Sequence, residues 1–189
     1  MNQGHLSYLA SPEWALALRT DLLPWLESVA DLGDEVLEIG PGPGLTTDIL
    51  RERVSHVTAI EIDPALAAAL ELRLAGTNVQ VIEGDASILD LLSDHYSAAT
   101  CFSMLHHMPS TQEQDALFAA LFRAVRPGGY LVGVDSRDVE RIRQAHEDDI
   151  FVPLDERTLP NRLRAAGFVD VMVDSGGEYQ IRFHAKKAN

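Results

Sequence analysis

A glycine-rich segment and a carboxylate at a set distance from it are the residues best suited to chemistry in this chain. An apolar run at residues 36–39, which includes Glu38, leads directly into Gly40, Pro41, Gly42, Pro43 and Gly44. Glu61 follows seventeen residues after the last glycine, at the end of a second apolar run. Glycine lets the backbone approach a ligand closely, and a helix starting there offers unpaired N–H groups. The spacing predicts a strand, turn, helix and strand that bind a nucleoside.

Two adjacent histidines offer a second kind of chemistry. His106 and His107 come shortly after an apolar run at residues 98–102. Because imidazole exchanges protons near neutral pH, one of them could act as a general base toward a hydroxyl or a weakly acidic carbon. The alternative is that one histidine packs against the loop and the other is solvated.

A metal site is the weaker expectation. Hard divalent cations prefer clustered oxygen ligands, and the carboxylates that could supply them are Asp135, Asp148 and Asp149. Acidic runs such as residues 147–149 are usually solvated, so we assign no metal from the sequence. The single cysteine, Cys101, lies in an apolar run and is expected in the core.

The pattern of apolar residues predicts the elements that position these groups. Short runs rich in β-branched residues predict buried strands, at residues 36–39, 57–60, 79–82, 98–102 and 130–134. Helices are predicted between them, since Asp63 with Pro64 is typical of a helix start and Ser110 with Glu113 forms a capping box. The alternation indicates an α/β protein with a mostly parallel, doubly wound sheet.

The C-terminal residues predict a different arrangement. A helix at residues 159–166 is expected to end at Gly167. Polar and apolar side chains then alternate on both sides of a tight Gly176-Gly177 turn. This pattern predicts a terminal antiparallel β-hairpin with strands at residues 168–174 and 178–184.

The glycine segment and its preceding acid have the pattern acidic-x-G-x-G-x-G, which differs from the G-x-G-x-x-G of dinucleotide-binding folds. It resembles the first motif of the class I S-adenosylmethionine-dependent methyltransferases. The resemblance continues in order through further segments and covers residues 34–187. These segments are residues 59–63, 84–86, 102–107 and 126–131.

The resemblance implies S-adenosylmethionine as cofactor and S-adenosylhomocysteine as product. Glu38 would contact the methionine ammonium group, Glu61 the ribose hydroxyls and Asp85 the adenine edge. His106 and His107 would lie at the rim toward which the methyl group points. The other implied cofactor-binding positions are Gly40, Pro41, Gly42, Gly44, Ile62, Ala86 and Ser103.

The family fold would be a seven-stranded, mostly parallel, doubly wound sheet of Rossmann-like type, with the terminal hairpin adding an antiparallel strand. We expect a single domain over residues 1–189. In it, residues 1–34 would form a helical arm or lid, and residues 35–189 the cofactor-binding core.

The amino-acid composition limits the kinds of substrate and partner that this chain can bind. The chain has 189 residues, near the size of one domain, and carries 29 acidic against 15 basic side chains, a formal charge of −14. This charge repels phosphate backbones and argues against a nucleic-acid substrate. No apolar stretch approaches the roughly 20 residues that span a bilayer, and no signal-peptide pattern is present, so we expect no membrane partner and a cytoplasmic location. Nothing indicates an oligomeric state.

We expect a small-molecule acceptor. Residues 1–34 predict two aromatic-rich helical pieces, and residues 138–158 predict one charged helix and a loop. A pocket built from these pieces and the histidine loop suits a small molecule better than a folded protein. Tyr8, Trp14 and the segment after Asp135 are predicted to enclose it.

Two other classes of protein stay open on the sequence alone. A nucleotide-dependent oxidoreductase would need an irregular glycine turn, and both the spacing and the terminal hairpin count against it. A methyltransferase-like binding domain without turnover would keep the same motifs. We favour in-line methyl transfer from the sulfonium, in which positioning and exclusion of solvent supply much of the acceleration.

Overall fold

The computed structural model describes the backbone of residues 3–189 and the side chains from residue 6 onward. Within this range seven strands form one sheet, in the order β3-β2-β1-β4-β5-β7-β6. The strands are β1 Glu35–Ile39, β2 His56–Glu61, β3 Val79–Glu83, β4 Tyr96–Phe102, β5 Val125–Ser136, β6 Val169–Ser175 and β7 Gln180–Lys186. The predicted seven-stranded, mostly parallel α/β fold is confirmed.

Helices cover both faces of the sheet. They are α1 Gln3–Leu9, α2 Pro12–Ala17, α3 Leu23–Val29, α4 Leu45–Arg51, α5 Pro64–Leu74, α6 Thr111–Ala124, α7 Glu140–Ala145 and α8 Leu159–Ala166. Along β1 the side chains alternate: Val36 packs with α3 and α4, and Leu37 packs with α6 and α8. A strand buried on both faces needs apolar residues at successive positions, which explains its uninterrupted apolar run.

Local capping sets several helix boundaries where the sequence predicts them. The Asp63 carboxylate accepts hydrogen bonds from the first backbone N–H groups of α5. The Ser110 hydroxyl accepts one from the Glu113 N–H at 3.2 Å and so caps α6. Gly167, with φ +114°, ends α8 in the left-handed conformation that glycine adopts most easily.

The C-terminal hairpin is antiparallel, as predicted, and β7 lies between β5 and β6. Its turn includes Gly176 and Gly177, as predicted, but is longer than the predicted tight turn. Residues 176–179 connect the strands, and the Gly176 N–H donates to the Gln180 carbonyl at 2.9 Å. Both strands begin one or two residues later than predicted, because pairing with β5, rather than the two glycines, determines the register.

The N-terminal segment forms two helical pieces, as predicted, with a break before Pro12. From Pro12 to Val29 the chain stays helical, and the turn Leu18–Leu22 is π-helical. Pro24 does not break the helix, because it lies in the first turn of α3, just after the wider π turn. Leu18 and Leu26 are buried among core residues of the sheet.

Residues 138–158 contain the short helix α7 and an irregular segment, as predicted. Cys101 is fully buried, and burial raises the pKa of its thiol. Across residues 3–189, none of the helices is both long enough and apolar enough to cross a membrane.

Candidate active site

The glycine turn connects β1 to α4 and faces a cavity. Gly42 has φ +55°, and a Cβ placed there would meet no described atom within 4 Å. At Gly44, a Cβ would lie 2.3 Å from Leu70 Cδ1 on α5. The two glycines therefore serve different purposes. Gly42 leaves open space for a ligand, and Gly44 lets α5 pack against the turn.

Glu61 ends β2 beside this turn and is buried. Its carboxylate accepts hydrogen bonds from the backbone N–H of Gly42 and from that of Asp63, both at 2.9 Å. Its side chain also lines the cavity. Because a carboxylate has about four lone-pair sites, acceptor capacity remains for hydroxyl groups on the cavity side.

The cavity has a volume of about 520 Å³, within the usual range of small-molecule sites. Predicted cofactor residues that line it are Gly40, Gly42, Glu61, Ile62, Asp85 and Ala86. At the other end, the loop after β4 and α6 contribute Met104, His107, Met108, Pro109, Glu113 and Leu117. Residues of the glycine turn and of the histidine loop thus face one space.

Asp85 is held in a fixed orientation at the cavity wall. Its Oδ1 accepts from the backbone N–H of Ser87 at 2.8 Å and from the Ser87 hydroxyl at 2.7 Å. Ile62 lines the same cavity and is 66% exposed. A carboxylate beside an exposed apolar side chain can accept from an amino group on a ring while the ring packs on the apolar surface.

Glu38 is buried behind the glycine turn rather than in the cavity wall. The Thr46 hydroxyl donates to its Oε1, whereas Oε2 has no hydrogen-bond partner among the described residues. Burial raises the pKa of Glu38 to about 7, and the hydrogen bond from Thr46 opposes that shift. A buried carboxylate of this kind is suited to pair with a cation that arrives with a ligand.

Pro41 and Ser103 line a second, smaller cavity of about 30 Å³. Trp14 and Leu9, from the N-terminal helices, close its outer side, and Thr46 also lines it. Ser103 has φ +54°, an uncommon conformation for a residue other than glycine. The remaining predicted cofactor residue, Gly44, lines neither cavity.

The two predicted histidines lie in different environments. His107 lines the large cavity. His106 is fully buried, and its Nδ1 lies 2.6 Å from Oδ1 of Asp135, whose Oδ2 accepts from the Leu105 N–H at 2.8 Å. Of the pair, only His107 is therefore in a position to touch a substrate.

The structure adds His146, which the sequence analysis missed. The imidazoles of His106, His107 and His146 are in mutual contact, and Phe151 stacks on His146 at 4.7 Å between ring centroids. His146 follows α7, in the segment for which the sequence predicted only a charged helix and a loop. Nothing in the local sequence pattern distinguishes it from a solvated histidine.

The three carboxylates considered for a cation do not form one cluster. Asp135 is buried against His106, whereas Asp148 is exposed. Asp149 Oδ2 lies 3.9 Å from His107 Nδ1. Two of the three thus contact the histidines from different sides, because β5 carries Asp135 and the segment after α7 carries Asp149.

Comparisons with known proteins agree with this arrangement. A family model described as a methyltransferase domain matches residues 36–129. A ubiquinone biosynthesis O-methyltransferase from Xanthomonas oryzae pv. oryzae is 33% identical over 119 residues, which are 61% of this chain and 48% of the relative. A probable ribosomal RNA small subunit methyltransferase A from Methanothermobacter thermautotrophicus is 56% identical over 57 residues, 30% of this chain and 21% of the relative. The chain therefore spans about half the length of the first relative and about a fifth of the second.

Among solved structures, a SAM-dependent methyltransferase from Aquifex aeolicus matches with a TM-score of 0.76 and 20% identity, over 98% of both chains. The chain belongs to the class I S-adenosylmethionine-dependent methyltransferase family. The predicted family is thus confirmed, together with the cofactor that defines it. The oxidoreductase alternative no longer applies.

Proposed function

We propose that this chain is an enzyme that transfers the methyl group of S-adenosylmethionine to a small-molecule acceptor by in-line displacement. The observation that carries the proposal is the cavity that joins Glu61 and Asp85 to His107. Groups suited to a nucleoside and a group suited to accept a proton face the same space. This arrangement supports the two-substrate reaction of a methyltransferase better than simple ligand storage.

The residues on the nucleoside side fit the cofactor. Glu61 and Asp85 line the cavity, and we assign Glu61 to accept from the ribose hydroxyls and Asp85 to accept from the adenine amino group. The open space at Gly42 gives the ligand close access to the backbone. Behind it, Oε2 of Glu38 is a buried acceptor that an ammonium group would satisfy, directly or through water. When bound, the cofactor supplies an activated sulfonium methyl group.

At the acceptor end, the chain provides apolar walls and one base. Met104, Met108 and Leu117 exclude water from this part of the cavity. His107 lines this part of the cavity, and we assign it as the base that receives the proton of a hydroxyl acceptor. His106 and Asp135 do not line the cavity, and we assign them the role of positioning residues that orient the histidine loop.

The N-terminal helices are proposed as the cover of the site. Leu6 lines the large cavity, and Trp14 lines the small one. Tyr8 lines neither cavity and is 52% exposed, but its ring lies 5.4 Å from that of Trp14. We propose one domain over residues 1–189, with residues 1–34 as the arm. A cytoplasmic location also stays a prediction from the sequence.

A ribosomal RNA acceptor is the competing proposal, since one relative carries that description. The matched 57 residues are only 30% of this chain. With a formal charge of −14, the chain lacks the basic excess that phosphate backbones require. The charge therefore supports a small molecule without a polyanionic backbone as the acceptor.

Two measurements test the proposal. In a thermal-shift panel, S-adenosylmethionine and S-adenosylhomocysteine should raise the melting temperature, and NAD and ATP should not. Product formation is then measured with labelled cofactor on a broad set of hydroxyl, amine and carboxylate metabolites and on ribosomal RNA. Methylation of RNA alone would overturn the small-molecule acceptor. Tight cofactor binding with no turnover on any substrate would favour a non-catalytic binding domain.

A further inference from the structure

Three histidines beside the cavity form a cluster that the reaction proposed above does not fully explain. One ring nitrogen from each lies within 4.8 Å of the other two, and the residues are His106, His107 and His146. We propose that this cluster is a binding site for a divalent transition metal ion of the zinc class. The proposal does not depend on the identity of the methyl acceptor.

Hydrogen bonds at the rings orient two of the three ligands. His146 Nδ1 lies 2.8 Å from the Ile142 carbonyl, which can only accept, so this nitrogen carries the proton. His106 Nδ1 is bonded in the same way to Asp135, at 2.6 Å. In both rings Nδ1 is then the protonated nitrogen and Nε2 the unprotonated one, which is the form that binds a metal ion. Metal-binding histidines commonly donate their other N–H to a carboxylate or a backbone carbonyl in this manner.

The charge around the cluster suits a divalent cation. Asp135 is fully buried against His106, and Asp149 Oδ2 is 3.9 Å from His107 Nδ1. Three neutral imidazoles bring no charge, so these two carboxylates supply the negative charge that a bound M²⁺ would balance. A buried cation would thus sit among ligands and counter-charges already present.

The cluster is also shielded from solvent. His106 and His146 are buried, and the His107 side chain is only 15% exposed. Phe151 covers one side, stacking on His146 and touching the edge of His106. An apolar cover of this kind strengthens metal–ligand interactions and limits exchange with water.

The ligand type selects the class of metal. Imidazole suits Zn²⁺, Ni²⁺, Cu²⁺ and Fe²⁺, whereas Mg²⁺ and Ca²⁺ prefer oxygen. With Zn–N bonds of about 2.0 to 2.1 Å, ligand nitrogens in a tetrahedral site lie about 3.3 Å apart, so the rings would move closer by up to about 1.5 Å. Rotations about side-chain torsions on the short helical turn Leu105–His107 and after α7 can supply such a movement.

Three protein ligands leave one coordination position open, as in catalytic rather than structural zinc sites. His107 lines the cavity, so a metal bound to it lies next to the acceptor. For an acceptor that carries a hydroxyl group, the metal would hold its oxygen and favour loss of its proton to solvent water. In that state His107 acts as a ligand, and the metal replaces it in activating the hydroxyl.

The test uses full-length protein without a polyhistidine tag, stripped with a chelator and then titrated with Zn²⁺, Co²⁺ or Mg²⁺ in a calorimeter. We expect one Zn²⁺ or Co²⁺ per chain, no Mg²⁺ binding, and visible absorption bands of tetrahedral Co²⁺. His146→Ala should weaken Zn²⁺ binding at least about 100-fold, and Asp135→Asn about 10- to 100-fold. His56→Ala is the matched control, because His56 begins β2 whereas the cavity lies at the other end of this strand, beside Glu61. This variant should bind Zn²⁺ with the affinity of the wild type.

Binding of S-adenosylhomocysteine, measured in parallel, shows whether each variant is folded, since His146 does not line the cavity. Native protein that takes up no Zn²⁺ and gives no tetrahedral Co²⁺ spectrum would overturn the site. Equal Zn²⁺ affinity in the wild type and a folded His146→Ala variant would also overturn it. If the wild type does not bind S-adenosylhomocysteine, the proposed function is contradicted. The metal titration would still test the metal site.

Discussion

The carboxylate of Glu61 accepts a hydrogen bond from the backbone N–H of Gly42 at 2.9 Å. The acid expected to bind the ribose therefore also holds the glycine turn against the end of β2. A ligand that binds Glu61 meets a turn whose conformation is already set, which reduces the ordering cost of binding.

Glu61→Ala should weaken S-adenosylhomocysteine binding about 10- to 100-fold, since the ribose hydroxyls lose a charged acceptor. It should also lower the melting temperature, because the N–H groups of Gly42 and Asp63 lose their partner. Calorimetry measures the first effect. Glu83→Ala is the matched control, since Glu83 is the exposed register partner of Glu61 on β3. Unchanged affinity in a folded Glu61→Ala variant would contradict the assignment.

Gly42→Val should abolish most cofactor binding. The valine side chain would enter the open space in the cavity, and it would also be strained at φ +55°. Gly177→Val, also at positive φ and with open space around it, separates backbone strain from loss of ligand space. If both variants bind S-adenosylhomocysteine equally well, the ligand does not approach the backbone at Gly42.

Glu38 should make the stability of the cofactor-free protein depend on pH. Its pKa is raised by burial to about 7 from an ordinary 4.5, and nearby Asp48 and Glu61 add to the shift. The folded state then binds the proton more tightly than the unfolded state. The stabilisation of the folded state by this proton is complete at pH values below the ordinary carboxyl range and is lost as the pH rises to about 7. Glu38→Gln should remove this loss and raise the free energy of unfolding at pH 8 by about 1 to 3 kcal/mol. Urea denaturation at pH 5 and pH 8 measures it.

The same residue predicts how cofactor affinity depends on pH. If the ammonium group of the cofactor lies near Glu38, binding favours the carboxylate, so affinity should rise as pH increases toward about 7. Glu38→Gln should bind S-adenosylmethionine about tenfold more weakly at pH 8 and lose this dependence. An identical pH profile in the variant would show that Glu38 does not sense the ligand.

His107→Ala should lower turnover of a hydroxyl acceptor about 10²- to 10⁴-fold and leave S-adenosylhomocysteine affinity nearly unchanged. If His107 is the base, wild-type turnover should fall as pH drops through the range in which imidazole takes up a proton. Treatment with a chelator distinguishes a general base from a metal ligand at His107. Activity should persist after metal removal if His107 is the base, and it should be lost if the reaction depends on a bound metal. His95→Ala, a partly exposed histidine at the other end of the sheet, is the control. Full activity of the His107→Ala variant would show that His107 only lines the cavity and takes no part in the reaction.

Deleting residues 1–10 should affect the acceptor site and leave the cofactor site largely intact. The deletion removes Leu6 and Leu9 from the cavity walls but keeps Leu18, which is buried in the core. Turnover should fall by at least about tenfold through loss of solvent exclusion, while S-adenosylhomocysteine affinity is largely kept. Circular dichroism verifies the fold. Unchanged turnover would show that α1 does not cover the acceptor.

Local sequence patterns were enough to predict most of the framework. Strand runs were visible because strands buried on both faces need consecutive apolar residues. Asp63, Ser110 and Gly167 mark helix ends through bonds and backbone angles that involve only their near neighbours. The glycine turn, Glu61 and Asp85 follow strands of a parallel sheet, so their positions along the chain also bring them to the same edge of the sheet.

The sequence by itself thus determined the family, the order of the elements and six of the residues that line the cavity, from Gly40 and Gly42 to Asp85 and Ala86. Only the tertiary structure brought His146 to His107 and Asp135 to His106, because contacts between distant segments depend on how the segments pack. Burial is likewise a property of the whole fold. The sequence shows that residue 38 is a glutamate, but the surrounding core removes it from water and raises its pKa.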